Sequence, residues 1–149
     1  MGYTHYWELK KQPTPTKFKK AVETLNAIFA EHKDLRELLA GWDGNGEPDL
    51  NEEMISFNGR ADKGDDYESF TIQRAKPKWD FCKTQYRPYD VVVCITLLVL
   101  KKVLGPATFS FSSDGVYWGK PENMDEGWAK AYEIVSYLGI TPPAKEPRR

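Results

Sequence analysis

Polar and apolar positions alternate with a period of two between Tyr3 and Leu9, where Tyr3, His5, Trp7 and Leu9 share one parity. That pattern predicts a strand over residues 4–9. From Phe18 the spacing becomes helical: Phe18, Ala21, Val22, Leu25, Ile28 and Phe29, continued by Leu35, Leu38 and Leu39 as far as Gly41. Thr14-Pro15 supplies an N-cap followed by proline at the first helical position. Asp34 and Glu37 are spaced as a capping box, so a break is expected near His32 to Asp34.

Met54 to Phe57 predicts a short strand closed by Asn58-Gly59, and Ser69 to Gln73 another with Phe70 and Ile72 inward. Arg60 to Asp66, polar throughout, predicts a mobile connection. The most apolar segment runs from Pro88 to Leu104. Its β-branched residues suit a strand, but its length, Lys101 and Lys102, and the stop at Gly105-Pro106 predict a helix. Ala107 to Ser112 alternates, with Phe109 and Phe111 on one face. Asn123 and Glu126 form a second capping-box pattern ahead of a stripe of Trp128, Ala131, Tyr132, Val135 and Leu138.

This order predicts an α+β fold: a ferredoxin-like βαββαβ antiparallel sheet with helices on one face and an extra C-terminal helix. Residues 1–140 form a single domain, and 141–149 a loose proline-rich tail. Right-handed crossovers set the first and fourth strands side by side, with the Ser69–Gln73 strand on the first strand's other flank. Three polar segments then meet at one end of the sheet: Tyr3-Thr4-His5, the run from Arg74 to Asp90, and Ser112 to Gly115.

Charge narrows the function classes. Among 149 residues, 21 basic and 22 acidic side chains nearly cancel, which gives no broad field for nucleic acid or an anionic membrane. Val91 to Leu100 is about half of the ~20 apolar residues a membrane span needs. The first residues lack a signal-peptide pattern, and Tyr6 stands where myristoylation needs Ser or Thr. Cys82 and Cys94 lie in or beside one predicted helix, so a reduced pair in a soluble cytoplasmic protein is the expectation.

Candidate chemistry concentrates in residues 81–90, where a thiol, two cations, two phenols and a carboxylate precede the apolar helix. A helix start offers unpaired N–H groups and the positive end of its dipole to an anion. In this reading Lys83 and Arg87 hold charge, with Arg74 a weaker candidate, and Thr84, Ser112 and Ser113 donate. Tyr86 or Tyr89 stacks, while Asp90, Asp114 and His5 read the polar edges of a ribose or base. Each residue also has a plainer role: Asp90 complements the dipole, Ser112 to Gly115 makes a turn, and the cations are solvated.

A second reading is a thiol enzyme in which Cys82 is activated by His5, oriented by Asp114 or Asp90. No thiol-hydrolase signature surrounds Cys82, and Cys94 reads as core. Zinc is discounted because Cys82, Cys94, His5 and His32 show no paired short spacing. The Asp43 to Asp49 loop fails as a calcium site: Pro48 occupies the glycine turn and Met54 the bidentate position. The Glu68 to Arg74 strand lacks the exposed aromatics of an RNA-recognition motif, so nucleic acid is not an expected partner. No cofactor or metal is expected.

The opening Met1-Gly2-Tyr3-Thr4-His5-Tyr6-Trp7, Phe57-Asn58-Gly59, Phe81-Cys82-Lys83-Thr84 with Pro88-Tyr89-Asp90, and Ser112-Ser113-Asp114-Gly115 together resemble a family of short bacteriophage and bacterial proteins. The resemblance brings no catalytic roles. It implies a phage accessory protein acting in the host cytoplasm as an anti-defence or host-interaction factor. Joined to the residue reading, the expectation is a non-enzymatic protein that sequesters a small anionic, nucleotide-derived signal. A cysteine-dependent enzyme on a small anionic substrate, or an inhibitor of a host protein, is the alternative. A helix apolar on every side needs cover, so a homo-oligomer is expected.

Overall fold

In the computed structural model, which describes residues 2–147, the chain runs β1 (Thr4–Leu9), α1 (Pro15–Glu31), α2 (Lys33–Arg36), β2 (Leu39–Ala40), β3 (Asp49–Leu50), β4 (Met54–Gly59), β5 (Phe70–Gln73), β6 (Trp79–Lys83), α3 (Asp90–Leu104), β7 (Phe109–Ser113) and α4 (Glu126–Val135). It is an α+β fold with antiparallel sheets. β1 is the centre of a three-stranded sheet ordered β6-β1-β7. His5 lies opposite Cys82 on one side and Ser113 on the other. A second sheet gathers β2, β3 and β5 around β4. The two sheets meet where the Glu68 N–H donates to the Lys83 carbonyl at 3.3 Å.

Local chemistry accounts for most boundaries. The Thr14 hydroxyl accepts the Lys17 N–H at 3.2 Å, Pro15 opens α1, and Phe18, Ala21, Val22, Leu25, Ile28 and Phe29 turn inward. The helix breaks at His32, near the expected place, but the Asp34–Glu37 box is not formed. Leu39 and Ala40 leave the helical path to pair with Gly59 and Asn58, because β4 continues through the residues expected to end it. The last helix starts from Asp125, and its N-terminus has no side-chain cap from Asn123. Beyond it the tail touches the body where the Gly119 N–H donates to the Pro143 carbonyl at 2.7 Å.

The strand order differs from the ferredoxin-like expectation in one respect that matters for the site. β1 and β7 are neighbours as expected, but the other flank of β1 is taken by Trp79–Lys83, and Phe70–Gln73 pairs with β4 instead. β6 was concealed in the sequence because it points its aromatics outward. Trp79 and Phe81 are 57% and 44% exposed, while only the small Cys82 is fully buried. Alternation was present with the large residues on the solvent side.

Val92 to Leu100 of α3 is buried without interruption. α1, α4 and β7 pack around it, so one chain supplies the cover that its apolar faces need. That removes the packing reason for a second copy. Among the described residues no helix is long and apolar enough to cross a membrane.

Candidate functional site

The start of β1, the Cys82–Asp90 end of the middle segment and the end of β7 converge on His5, while Arg74 is held apart on the Pro13 carbonyl and Glu53. The His5 side chain is fully enclosed, with Nδ1 2.8 Å from the Ser113 hydroxyl and Nε2 2.6 Å from Asp90 Oδ1. Ser113 Oγ receives the Trp128 indole N–H at 3.1 Å and the Gly115 N–H at 3.0 Å. The Asp90 carboxylate opposite Nε2 accepts, which places the imidazole proton on Nε2 and leaves Nδ1 to accept from the Ser113 hydroxyl. Asp90 Oδ1 also accepts the Thr84 hydroxyl at 2.5 Å.

Cys94 closes the cluster. Its Sγ is 3.8 Å from His5 Nε2 and 3.9 Å from Asp90 Oδ2. Burial pushes its thiol far up, and the adjacent Asp90 charge reinforces the shift. His5, Asp90 and Cys94 offer three ligand atoms within 4.8 Å of one another. Two ligands of one tetrahedral zinc ion would sit about 3.3 Å apart. The 2.6 Å between Nε2 and Oδ1 is instead that of a shared proton.

Above the cluster lie two phenols. The Tyr3 ring stands edge-on to His5 at 5.1 Å, and Tyr86 stacks on Tyr3 at 3.8 Å. The Tyr3 hydroxyl is buried and makes no well-formed hydrogen bond, its polar neighbour being the Ser113 side chain, and burial drives its pKa up. Gln85 and Tyr86 hold φ of 52° and 59°, left-handed conformations uncommon for side-chain-bearing residues. The Gln85 carboxamide takes the Tyr3 N–H at 2.8 Å and anchors this turn to the start of β1.

The ten residues singled out from the sequence thus fall into three places. His5, Thr84, Tyr89, Asp90 and Ser113 are buried, so their polar atoms serve one another; the Tyr89 hydroxyl donates to the Glu68 carbonyl at 2.5 Å. Lys83, Ser112 and Asp114 lie on the outward side of the β6-β1-β7 sheet, where Asp114 takes the Thr4 N–H at 3.0 Å and the Tyr6 hydroxyl at 3.1 Å. Tyr86 and Arg87 are exposed, with the Arg87 guanidinium 5.6 Å from the Tyr67 ring centre.

A groove of about 430 Å³ joins Tyr86, Arg87 and Asp90 to Glu126, Gly127 and Lys130 of α4. Neither α3 nor α4 carries a side-chain cap at its N-terminus, and both helices begin at this groove. Gly127 is required there, since a Cβ would lie 2.5 Å from Asp90 Oδ2. A second cavity of about 360 Å³, between Leu98, Phe111, Tyr132 and Pro143, is mainly apolar and holds none of these groups apart from the lysines 101 and 102.

Gly127, Trp128 and Lys130 carried no site expectation; Tyr3 was expected on the rim without a role, and Cys94, expected in the core, is there and also meets His5 and Asp90. Cys94 was within reach: it is four residues from Asp90 and so shares its helix face. Cys82, the thiol that was singled out, is fully buried, and its S–H donates to the Glu68 carbonyl at 3.3 Å. Burial raises its pKa strongly, opposite to the shift a nucleophile needs. Comparison with known proteins returns no matching family model, no matching curated sequence and no matching solved structure.

Proposed function

We propose that this chain is a non-enzymatic binder of a small anionic ligand of nucleotide type, held in the groove between the starts of α3 and α4. The reading rests on one observation: Tyr86, Arg87, Asp90 and Lys130 line a single groove onto which two uncapped helix N-termini open. Arg87, Lys130 and the first-turn N–H groups of α4 take phosphate, Tyr86 offers a stacking plane, and the Asp90 edge accepts from a sugar or base. The buried His5–Ser113–Asp90–Thr84 network keeps Asp90 in place and does not itself reach the ligand.

The same geometry supports a reading without turnover. Both thiols are enclosed, with pKa values pushed up, and the Ser113 hydroxyl is committed to His5. The resemblance to short phage and bacterial proteins supplies the context: the ligand is a nucleotide-derived defence signal, and sequestration is the action. One copy suffices for the groove as described.

Thermal-shift screening against mononucleotides and cyclic dinucleotides tests this. A ligand at about 100 times its Kd adds ~2.7 kcal/mol of stability. The ligand should be recovered chemically unchanged after denaturation, and Arg87→Ala should abolish the shift. Recovery of a product, or no shift with any nucleotide, rejects the reading.

A further inference from the structure

The outward face of the β6-β1-β7 sheet lies apart from the groove and is covered by no helix. Pairing and alternation assign its positions: Thr4, Tyr6 and Glu8 from β1, Trp79, Phe81 and Lys83 from β6, Ser110 and Ser112 from β7. Tyr6 stacks against Trp79 at 6.1 Å and 23°, and Trp79 meets Phe81 at 5.6 Å and 43°, so the three rings form a continuous strip. Two shallow depressions of about 370 and 380 Å³ share Tyr6 and Trp79; Pro147 borders one of them.

We infer that this face is a stacking platform for single-stranded nucleic acid. Every apolar side chain at its outward positions is aromatic and none is aliphatic, so successive bases meet ring faces along the strip. The flanking charge is complementary to phosphate. Lys10 and Lys11 follow β1, and Lys76 and Lys78 precede β6, all exposed. They share one end of the sheet, where the Leu9 N–H donates to the Lys78 carbonyl at 2.9 Å. Lys83 stands at the other end.

The opposing acids are Glu8, Asp80 and Asp114. Asp80 pairs with Lys78 at 3.4 Å, and Asp114 is occupied by Thr4 and Tyr6. Lys10 Nζ rests on the Pro106 carbonyl at 3.0 Å, an exposed contact that a phosphate can replace. The near-zero net charge argued against nucleic acid for the chain as a whole; the lysines nonetheless gather beside the aromatics. The exposed aromatics absent from β5 stand on β6, the strand that flanks β1.

The test is fluorescence anisotropy of the full chain with labelled single-stranded RNA and DNA of about twelve nucleotides, against a duplex of equal length. The expected result is single-strand binding that exceeds duplex binding. Its affinity should fall with salt at a log–log slope of about −2, as for three phosphate contacts. Trp79→Ala should weaken binding roughly tenfold or more at unchanged circular dichroism. Lys10→Gln with Lys78→Gln should flatten the salt slope.

Any of these overturns the inference: no single-strand binding at low salt, equal affinity for duplex, indifference to Trp79→Ala, or a dimer in sedimentation that Trp79→Ala dissociates. Competition by a mononucleotide as effective as by the unlabelled oligomer moves the binding to the α3–α4 groove and also rejects it. Failure of the groove reading leaves these measurements unaffected, because they report on residues of a separate face.

Discussion

His5, wholly enclosed at the centre of the sheet, gives its Nε2 proton to Asp90 across 2.6 Å. The two residues are 85 positions apart, so this bond fastens β1 to the start of α3. Asp90 also receives the Thr84 hydroxyl, and its loss strands two buried donors at once. Asp90→Ala should therefore cost about 2–6 kcal/mol, at 1–3 kcal/mol for each orphaned group. Asp90→Asn keeps an acceptor oxygen and should cost less than half as much. Urea unfolding at unchanged m-value measures both; equal stability of Asp90→Ala and the parent chain would show that the bond holds nothing together.

Tyr3 presents the reverse case, a buried hydroxyl whose approach to Ser113 falls short of a well-formed hydrogen bond. Removing an unsatisfied polar atom relieves its desolvation penalty, so Tyr3→Phe should be neutral or stabilising by about 1 kcal/mol. The same hydroxyl blocks its neighbour: a Cβ on Gly115 would lie 2.1 Å from it. Gly115→Ala should destabilise on its own and recover part of the loss when combined with Tyr3→Phe. A double-mutant cycle by thermal or urea denaturation reads that coupling. Strict additivity would place the clash elsewhere.

How far the sequence foretold this arrangement depends on what each residue signals locally. Thr14-Pro15 announced α1, and the alternation of Tyr3, His5, Trp7 and Leu9 announced β1, because cap chemistry and inward apolar parity are local properties. The meeting of His5 and Ser113 was legible through topology, since β1 beside β7 requires it, and Asp90 joins them from the start of α3. β6 was not, because its parity is inverted and its inward residue is a cysteine. The enclosure of Thr84 and Tyr89 was hidden too. The turn that folds them inward places positive φ on Gln85 and Tyr86, where no glycine or asparagine marks it. Cys94 was read as core from its apolar neighbours, although its spacing from Asp90 already put the two on one face.

Gly127 sets two effects of opposite sign against each other. Alanine is the better helix former by up to ~1 kcal/mol in a helix interior, which favours Gly127→Ala. The new Cβ, however, would lie 2.5 Å from Asp90 Oδ2. That carboxylate cannot swing away without releasing His5 and Thr84. Overpacking of this kind costs about 1–3 kcal/mol, so the variant should be less stable than the parent. A raised melting temperature for Gly127→Ala would mean that the Asp90 carboxylate is free to move, and the rigid network with it.

Alkaline pH should unfold the protein earlier than its composition implies. Cys82, Cys94, Tyr3, Tyr89 and Tyr132 all have pKa values raised, with burial the largest cause in each case. A raised folded pKa means that the unfolded chain releases its protons first. Stability is therefore intact below the ordinary thiol value near 9 and falls above it. Each group then removes up to ~1.4 kcal/mol per pH unit, thiols first and phenols from about pH 10. Urea midpoints should be flat from pH 7 to about 8.5 and drop steeply by about pH 10–11. Below that range both thiols should resist an aromatic disulfide reagent in the folded chain and react fully in denaturant. Rapid labelling of either cysteine in the folded protein at neutral pH would mean that the core around His5 opens, and the thiol-enzyme alternative would regain its nucleophile.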